Sequence, residues 1–500
     1  MPIYILGIAM ENFLYYGDNL DIIRKYITDE SVDLIYLDPP FNSKANYNIL
    51  YKEPSGEPSE AQITAFEDTW HWTEDAEKAF SEIVKFAPAQ VVEMMSAFRQ
   101  FIKRNDMMAY LTMMCIRLLE LKRILKDTGS IYLHCDPTAS HYLKIVMDTI
   151  FDVKNFRNEI VWCYSGGGIP TNDFPRKHDI ILRYSKTNKF FFEPVYRPYT
   201  QGTIQRGRTA IKGNKELNPK GTPITDWWFS NLECDHCGEK LSANLKRIVS
   251  PTDPENLGYP TQKPEELLER IIKSSSKEGD IILDPFCGCG TTIAVAQKLK
   301  RNWIGIDITH LAINIIKWRI KSVFGIEPKK DYKVIGEPED LTGAKELASQ
   351  NRYQFQWWAL SLIDARPFGD KKKGADTGID GYIYFMEEKN KISKAIVQVK
   401  SGNTSVKDIR DLGHVLDREK AEIGIFVTMH EPTEPMKTEA IQKGFYKSKI
   451  LQKDYSRIQI LTIEEIFGGK KPNIPYHIQP YKKAEMADLS ENLSLDFEEK

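Results

Sequence analysis

The stretch that most narrows the fold is residues 279–308, GDIILDPFCGCGTTIAVAQKLKRNWIGIDI. Ile281, Ile282 and Leu283 form a short apolar run of the kind a parallel strand buried on both faces needs. Asp284 ends that run, the glycine loop FCGCGTT follows, and IAVAQKLK reads as a helix. A second apolar strand, WIGIDI, then ends near Asp307, about twenty residues past the glycines. Glycines let backbone approach a ligand closely, and an acid at that distance accepts hydrogen bonds from ribose hydroxyls. The pattern predicts a Rossmann-like unit holding a nucleoside; a tight structural turn would explain the glycines but not the acid.

A second strand ends in a related way. In SVDLIYLDPPF, residues 31–41, Val32, Leu34, Ile35, Tyr36 and Leu37 make the apolar run and Asp38 sits at its carboxyl end. Pro39 and Pro40 have no amide proton and a fixed φ, so the strand stops and the following backbone is stiff. The outcome is a ledge carrying one carboxylate, carbonyl oxygens and the ring of Phe41. Ligands of open parallel sheets bind beyond the carboxyl ends of the strands. If the two strands share a sheet, they line one crevice: one half for a nucleoside, the other for a flat substrate carrying an amino group.

Five hundred residues exceed one ordinary core, so two or three domains are expected. Strand and helix patterns alternate from the N-terminus, and residues 51–105, polar and aromatic by turns, read as an insertion lying over the ledge. The net charge of −2 decides nothing about partners, because basic residues can be concentrated locally. They are: residues 186–220 hold eight Lys/Arg against two Glu, interleaved with five aromatic rings. Such a run suits phosphates and stacked bases, although a solvated face has the same composition. Seven cysteines in so long a chain suit a reducing compartment. Cys234 and Cys237 in CDHC could be half a zinc site, but no second pair follows at ribbon spacing. The apolar IYILGIAM near the start lacks a preceding basic region, and the helix candidate YLTMMCIRLLELKRIL is broken by Arg117, Glu120, Lys122 and Arg123. No signal peptide and no membrane span are read, and a cytoplasmic location is expected.

DPPF at 38–41, DPFCGCGTT at 284–292 and YPTQKP at 259–264 together resemble the amino-methylating DNA methyltransferases that use S-adenosylmethionine. The catalytic motif precedes the cofactor motif, with a recognition segment between them, which is similar to the β class. The resemblance covers roughly residues 12–325, with YYGDNLDIIRKY, YLHCDPTASHYLK and FRNEIVWCY as further matching stretches. It implies a Rossmann-like α/β methyltransferase domain over 1–335 with a target-recognition segment at 186–250, acting on double-stranded DNA, and it allows a homodimer. By the same resemblance, Asp38 and the carbonyl of Pro39 would accept the two N–H bonds of an exocyclic amine, with Pro40 holding the ledge and Phe41 stacking on a flipped base. Asp284, Phe286, Gly288 and Gly290 would cradle the methionine part of S-adenosylmethionine and Asp307 its ribose. Asp18 would lie near its adenine, and Thr261 and Lys263 near its carboxylate. An acid in the first position of the catalytic motif goes more often with adenine N6 than cytosine N4, so site-specific adenine methylation, within restriction-modification, is the expectation.

After about residue 335 the alternation restarts. Asp380 precedes one strand, and Gln398 and Lys400 lie two apart on the next, KAIVQVKSG, hence on one face. Residues 345–468 resemble a smaller α/β restriction-endonuclease-like domain of the Mrr-like PD-(D/E)XK branch. There the acid and its neighbouring acceptor would hold Mg²⁺ and the lysine would help activate water. Gln398 stands where the commoner pattern has a second acid, and an inactive DNA-binding relic is the competing reading. The acidic tail 481–500 reads as disordered.

Overall fold

The apolar runs pair edge to edge, as strands that must bury both faces require. The computed structural model describes residues 12–40, 46–52, 58–67, 71–164, 171–199, 201–207, 217–229, 253, 255–257, 259, 261–368, 378–388, 391–448, 451–475 and 477–478. The chain begins with β1 (Asn12–Tyr16), α1 (Asn19–Tyr26), β2 (Val32–Leu37) and a hairpin of β3 (Asn46–Lys52) and β4 (Pro58–Glu67). Three helices follow, α2 (Glu74–Phe86), α3 (Ala89–Ile102) and α4 (Asp106–Ile124), then β5 (Leu125–Cys135), α5 (Ser140–Phe151), β6 (Phe156–Cys163) and β7 (His178–Ser185). The short pair β8 (Tyr196–Arg197) and β9 (Thr222–Pro223) flanks α6 (Gln201–Arg206), and β10 (Trp227–Phe229) comes after it. The N-terminal body closes with α7 (Glu265–Ser275), β11 (Ile281–Asp284), α8 (Thr291–Lys298), β12 (Asn302–Asp307), α9 (His310–Phe324) and β13 (Tyr332–Ile335).

Nine strands form one sheet in the order β10-β6-β7-β5-β2-β11-β12-β1-β13. Its pairings are parallel except where β7 joins β5 and β6. The central neighbours β2, β11, β12 and β1 are all parallel, so they finish at the same edge of the sheet. In that order they deliver Asp38, Asp284, Asp307 and Asp18 to it, at or just past each strand end. Both faces of these strands are covered: Leu34, Ile35, Leu37 and Leu283 are fully buried. On one face lie α2 to α5, and on the other α7, α8 and part of α9.

Two of the segments singled out in the sequence contribute to the body of the protein. The helices within 51–105 pack into the body: Phe80, Ile83, Val91, Met95 and Phe98 are buried in the same core as α4 and α5. Part of 186–250, expected from the sequence to serve recognition, is scaffold, because β10 extends the main sheet beside β6. Its first rings also serve the body of the protein. Arg157 stands over Phe190 at 4.2 Å, Arg183 over Phe192 at 4.1 Å and Lys277 over Phe191 at 4.7 Å.

The C-terminal part comprises α10 (Leu341–Gln350), α11 (Arg352–Leu362), β14 (Arg366–Pro367), β15 (Gly381–Glu388), β16 (Lys391–Lys400), α12 (Val406–Glu419), β17 (Ile423–Thr428) and α13 (Glu434–Gln442). An antiparallel pair, β18 (Phe445–Lys447) and β19 (Asp454–Ser456), precedes β20 (Ile458–Thr462), α14 (Ile463–Phe467) and β21 (His477–Ile478). Its sheet runs β14-β15-β16-β17-β20, with β21 beside β15. Among the described residues no helix is long and apolar enough to cross a membrane.

Candidate active site

The acids at the four strand ends open into one cleft. Gly17, Asp18, Asn19, Asp38, Pro39, Pro40 and Arg117 line one side, and Asp284 to Cys289, Thr291, Thr292 and Asp307 to Thr309 another. Tyr259, Thr261, Gln262 and Lys263 close it from the segment before α7. The crevice expected between the DPPF ledge and the glycine loop is therefore one continuous space.

Its glycine wall is built by hydrogen bonds inside the loop. Asp284 is buried; its Oδ2 accepts the Thr292 hydroxyl at 2.5 Å and its Oδ1 the Phe286 amide at 3.0 Å. The Gly288 amide donates to Asp307 Oδ2 at 3.0 Å, while the Thr309 amide and hydroxyl each reach Asp307 Oδ1 at 2.9 Å. Burial pushes the Asp284 carboxyl up to about 7 and Asp307 up to about 6, against the lowering effect of those donors. Gly288 (φ 50°) and Gly290 (φ 74°) hold left-handed conformations that favour glycine. A Cβ at Gly290 would stand 2.7 Å from Ile316 Cγ1, and one at Gly288 3.2 Å from the Tyr259 ring. Gly290 is packed against α9, while Gly288 lines the cleft beside Tyr259. The thiols of Cys287 and Cys289 are buried and pushed up by that burial, the opposite of an activated nucleophile.

The other walls carry the charge. Asp18 caps α1 through the Leu20 amide at 2.8 Å and pairs with the buried Arg117, whose Nη2 lies 3.0 and 2.8 Å from its two oxygens. Arg117 Nε also donates to Asn19 Oδ1 at 2.6 Å, and Asn19 Nδ2 donates to the Pro285 carbonyl at 2.8 Å. The N-terminus of α1 is thereby tied to the glycine loop. Lys263 Nζ donates to Asp38 Oδ2 at 2.5 Å. Thr261, two residues earlier, holds φ 61°, a strained conformation for a β-branched residue. Behind it, Arg319 of α9 reaches Glu265 at 2.8 Å and the Thr291 hydroxyl at 3.2 Å, locking the start of α7 to the glycine loop.

The N6_N4_Mtase family model, DNA methylase, matches residues 32–317, more than half of the chain. The chain belongs to the N6/N4 DNA methylase family. Relatives include the type II methyltransferase M.BglII of Bacillus subtilis, 24% identical over 413 residues, covering 80% of this chain and 90% of the relative. The type II methyltransferase M.HpaI of Haemophilus parainfluenzae is 31% identical over 223 residues, covering 45% of this chain and 63% of the relative. Among solved structures, a PvuII DNA methyltransferase (cytosine-N4-specific) aligns at 13% identity and TM-score 0.35, covering 62% of this chain and 86% of that one. A second profile, NACHT-associated inactive restriction endonuclease 1, matches residues 354–467.

In this methylase Asp18, Asp38, Pro39, Pro40, Thr261, Lys263, Asp284, Phe286, Gly288 and Asp307 all line the cleft, and Gly290 starts α8 beside it. Phe41 and the CDHC pair lie outside the described residues. Asn19, Arg117 and Arg319 were missed, because nothing in their sequence neighbourhoods distinguishes them from ordinary helix residues. A buried chain was missed as well. The Tyr36 hydroxyl lies 2.8 Å from His134 Nδ1, His134 Nε2 3.1 Å from Asp179 Oδ2, and the Tyr164 hydroxyl donates to Asp179 Oδ1 at 3.1 Å. His134 in YLHC and Asp179 in RKHD are the signal that could have found it, since each is a polar residue beside an apolar run.

In the C-terminal sheet, Asp380 Oδ2 accepts the Val399 amide at 2.6 Å and Gln398 Nε2 donates to the Gly378 carbonyl at 2.6 Å. Gln398 and Lys400 share a face of β16. Among the described residues no group of three or more His, Cys, Asp or Glu side chains could hold a metal ion.

Proposed function

We propose that this methylase transfers a methyl group from S-adenosylmethionine to the N6 amine of adenine at specific sites in double-stranded DNA, as the modification activity of a restriction-modification system. The observation that carries the reading is the convergence of the Asp38 ledge and the Asp284 to Asp307 glycine wall on one cleft. The residues fit the cofactor: Gly288 lines the cleft without a side chain, and Asp307, whose Oδ2 accepts the Gly288 amide, keeps a lone pair there for a ribose hydroxyl. Asp284, Phe286, Gly288 and Gly290 would hold its methionine part, Asp307 its ribose, Asp18 the region of its adenine, and Thr261 and Lys263 its carboxylate. When bound, it supplies an electrophilic methyl on a sulfonium.

The chain's own contribution is positioning. Asp38 and the Pro39 carbonyl accept the two N–H bonds of the amine, which draws its lone pair out of conjugation with the ring. Pro40 fixes the ledge, and Phe41 stacks on the extruded base. No covalent enzyme intermediate is needed, in keeping with the inert buried thiols of Cys287 and Cys289. The test is transfer of labelled methyl to unmethylated DNA, with the product nucleosides identified, for wild type and Asp38→Ala. N6-methyladenine that falls about a hundredfold to a thousandfold in the variant, with cofactor still bound, is the expected outcome. N4-methylcytosine keeps the mechanism and changes the base; no transfer to DNA of varied sequence overturns the reading.

One observation favours a second reading for the C-terminal domain. Gln398 is buried, and its Oε1 has no hydrogen-bond partner among the described residues, beside Asp380 and Lys400. An acceptor in that state suits a ligand such as Mg²⁺, and cleavage of DNA by this domain would then need Asp380 and Lys400. Magnesium-dependent nicking abolished by Asp380→Ala and by Lys400→Ala supports it; nicking absent from the wild type removes it.

A further inference from the structure

Four acids, Asp18, Asp38, Asp284 and Asp307, and two cations, Arg117 and Lys263, line the cleft. Arg117 is committed to Asp18 and Asn19 by three short hydrogen bonds. Lys263 instead reaches Asp38 by a single ammonium on a flexible stem, with its side chain 11% exposed and that of Asp38 17%. The ammonium thus holds one of the oxygens that the target amine requires. A cofactor with a methionine end brings a carboxylate into this acid-rich space, and that carboxylate needs a cation.

We infer that Lys263 makes capture of the target base conditional on the cofactor, by exchanging the Asp38 carboxylate for the cofactor's own. The inference rests on the cofactor reading above and goes beyond it, because it assigns the Asp38 pairing a purpose. Breaking a sheltered ion pair without replacement leaves a buried charge uncompensated, so without cofactor the pair persists and Asp38 is masked. With the carboxylate present Lys263 keeps a partner while Asp38 is released to accept the amine. Coupling between two ligands is reciprocal, so target DNA must tighten the cofactor by the factor by which the cofactor tightens target DNA.

The exchange has a signature that needs no DNA and no turnover. Asp38 competes with the cofactor carboxylate for Lys263, so removing the Asp38 charge should strengthen binding, although removing an acid near the ligand's ammonium would ordinarily weaken it. Calorimetry on the full chain uses S-adenosylhomocysteine, which has the same carboxylate and no transferable methyl, and 5′-methylthioadenosine, which lacks the amino-acid end. Asp38→Asn is expected to tighten S-adenosylhomocysteine about fivefold. Lys263→Met should weaken it about tenfold and Lys263→Arg much less. In the Lys263→Met background Asp38→Asn should have no effect. Binding of 5′-methylthioadenosine, unchanged in all variants, shows that they are folded. Asp38→Asn that weakens or leaves S-adenosylhomocysteine unchanged, or acts equally in both backgrounds, overturns the exchange while the cofactor site stands. Failure of the wild type to bind either nucleoside overturns the cofactor reading itself, and the exchange with it.

Discussion

Asp284, buried, and Asp307, half-buried in the cleft wall, are held above the ordinary aspartate range, at about 7 and about 6, because desolvation penalises their charged forms. A folded-state pKa above the unfolded one stabilises the fold at low pH, and that contribution is lost as pH rises through 6 and 7. The ligand-free protein should therefore lose stability from these two groups between about pH 4 and 7. A cationic ligand inverts the trend, since it binds the ionised acids better. Calorimetric affinity for S-adenosylmethionine should rise about tenfold from pH 5.5 to 8, and Asp284→Asn should remove the upper part of that rise. A flat or falling profile would show that these acids do not sense the ligand's charge. A different residue argument applies to His134, fully buried between Tyr36 and Asp179. His134→Ala leaves a phenol and a carboxylate short of a partner, and should lower the free energy of chemical unfolding by roughly 2–4 kcal/mol. Acids at strand ends were legible because each interrupts an apolar run. His134 was not, because its partners lie 98 and 45 residues away.

The glycine loop and α8 work as one element. Gly290 begins the helix at φ 74° with Ile316 of α9 against it, so Gly290→Ala meets both backbone strain and a clash at 2.7 Å. Gly279, at φ 83° with nothing near its missing Cβ, measures the strain alone. Both alanine variants should be destabilised by about 1–3 kcal/mol in denaturant titrations, Gly290→Ala the more. Only Gly290→Ala should also weaken cofactor binding; equal binding by both would detach the loop's shape from ligand recognition. Elements with strong periodicity or a terminal acid, such as β2, β11 and β12, could be read from the chain. Others could not, because composition does not say which way a ring points. The rings of Phe190, Phe191 and Phe192 look like stacking platforms in sequence, yet meet Arg157, Lys277 and Arg183. Helices α2 and α3 hide their role similarly: their charged faces suggest a surface insertion, while Phe80, Met95 and Phe98 complete the core under α4 and α5.

At the scale of the whole molecule, two resemblances on one chain suggest independent domains joined by a linker, but the packing argues for one cooperative body. Tyr259, Cys289, Leu311, Ala312 and Ile315 from the methylase share a hydrophobic core with Leu347, Phe355, Trp358 and Leu360 from α10 and α11. The Gln354 side chain also accepts the His310 amide at the start of α9, three residues past Asp307. The C-terminal part therefore backs the wall against which cofactor would lie. Stripping its cover from Leu311 and Ile315 alone forfeits about 3–6 kcal/mol, a large share of the 5–15 kcal/mol by which a domain is usually stable. A chain ending at residue 340 should accordingly aggregate or lose cooperative unfolding and bind S-adenosylhomocysteine poorly. The full chain carrying Asp380→Ala and Lys400→Ala should keep cofactor affinity and methyl transfer unchanged. Differential scanning calorimetry of the intact protein should show a single transition that cofactor moves as a whole. Two separable transitions, with only the first shifted by ligand, together with a soluble and active 1–340 fragment, would show that the shared core carries no such load.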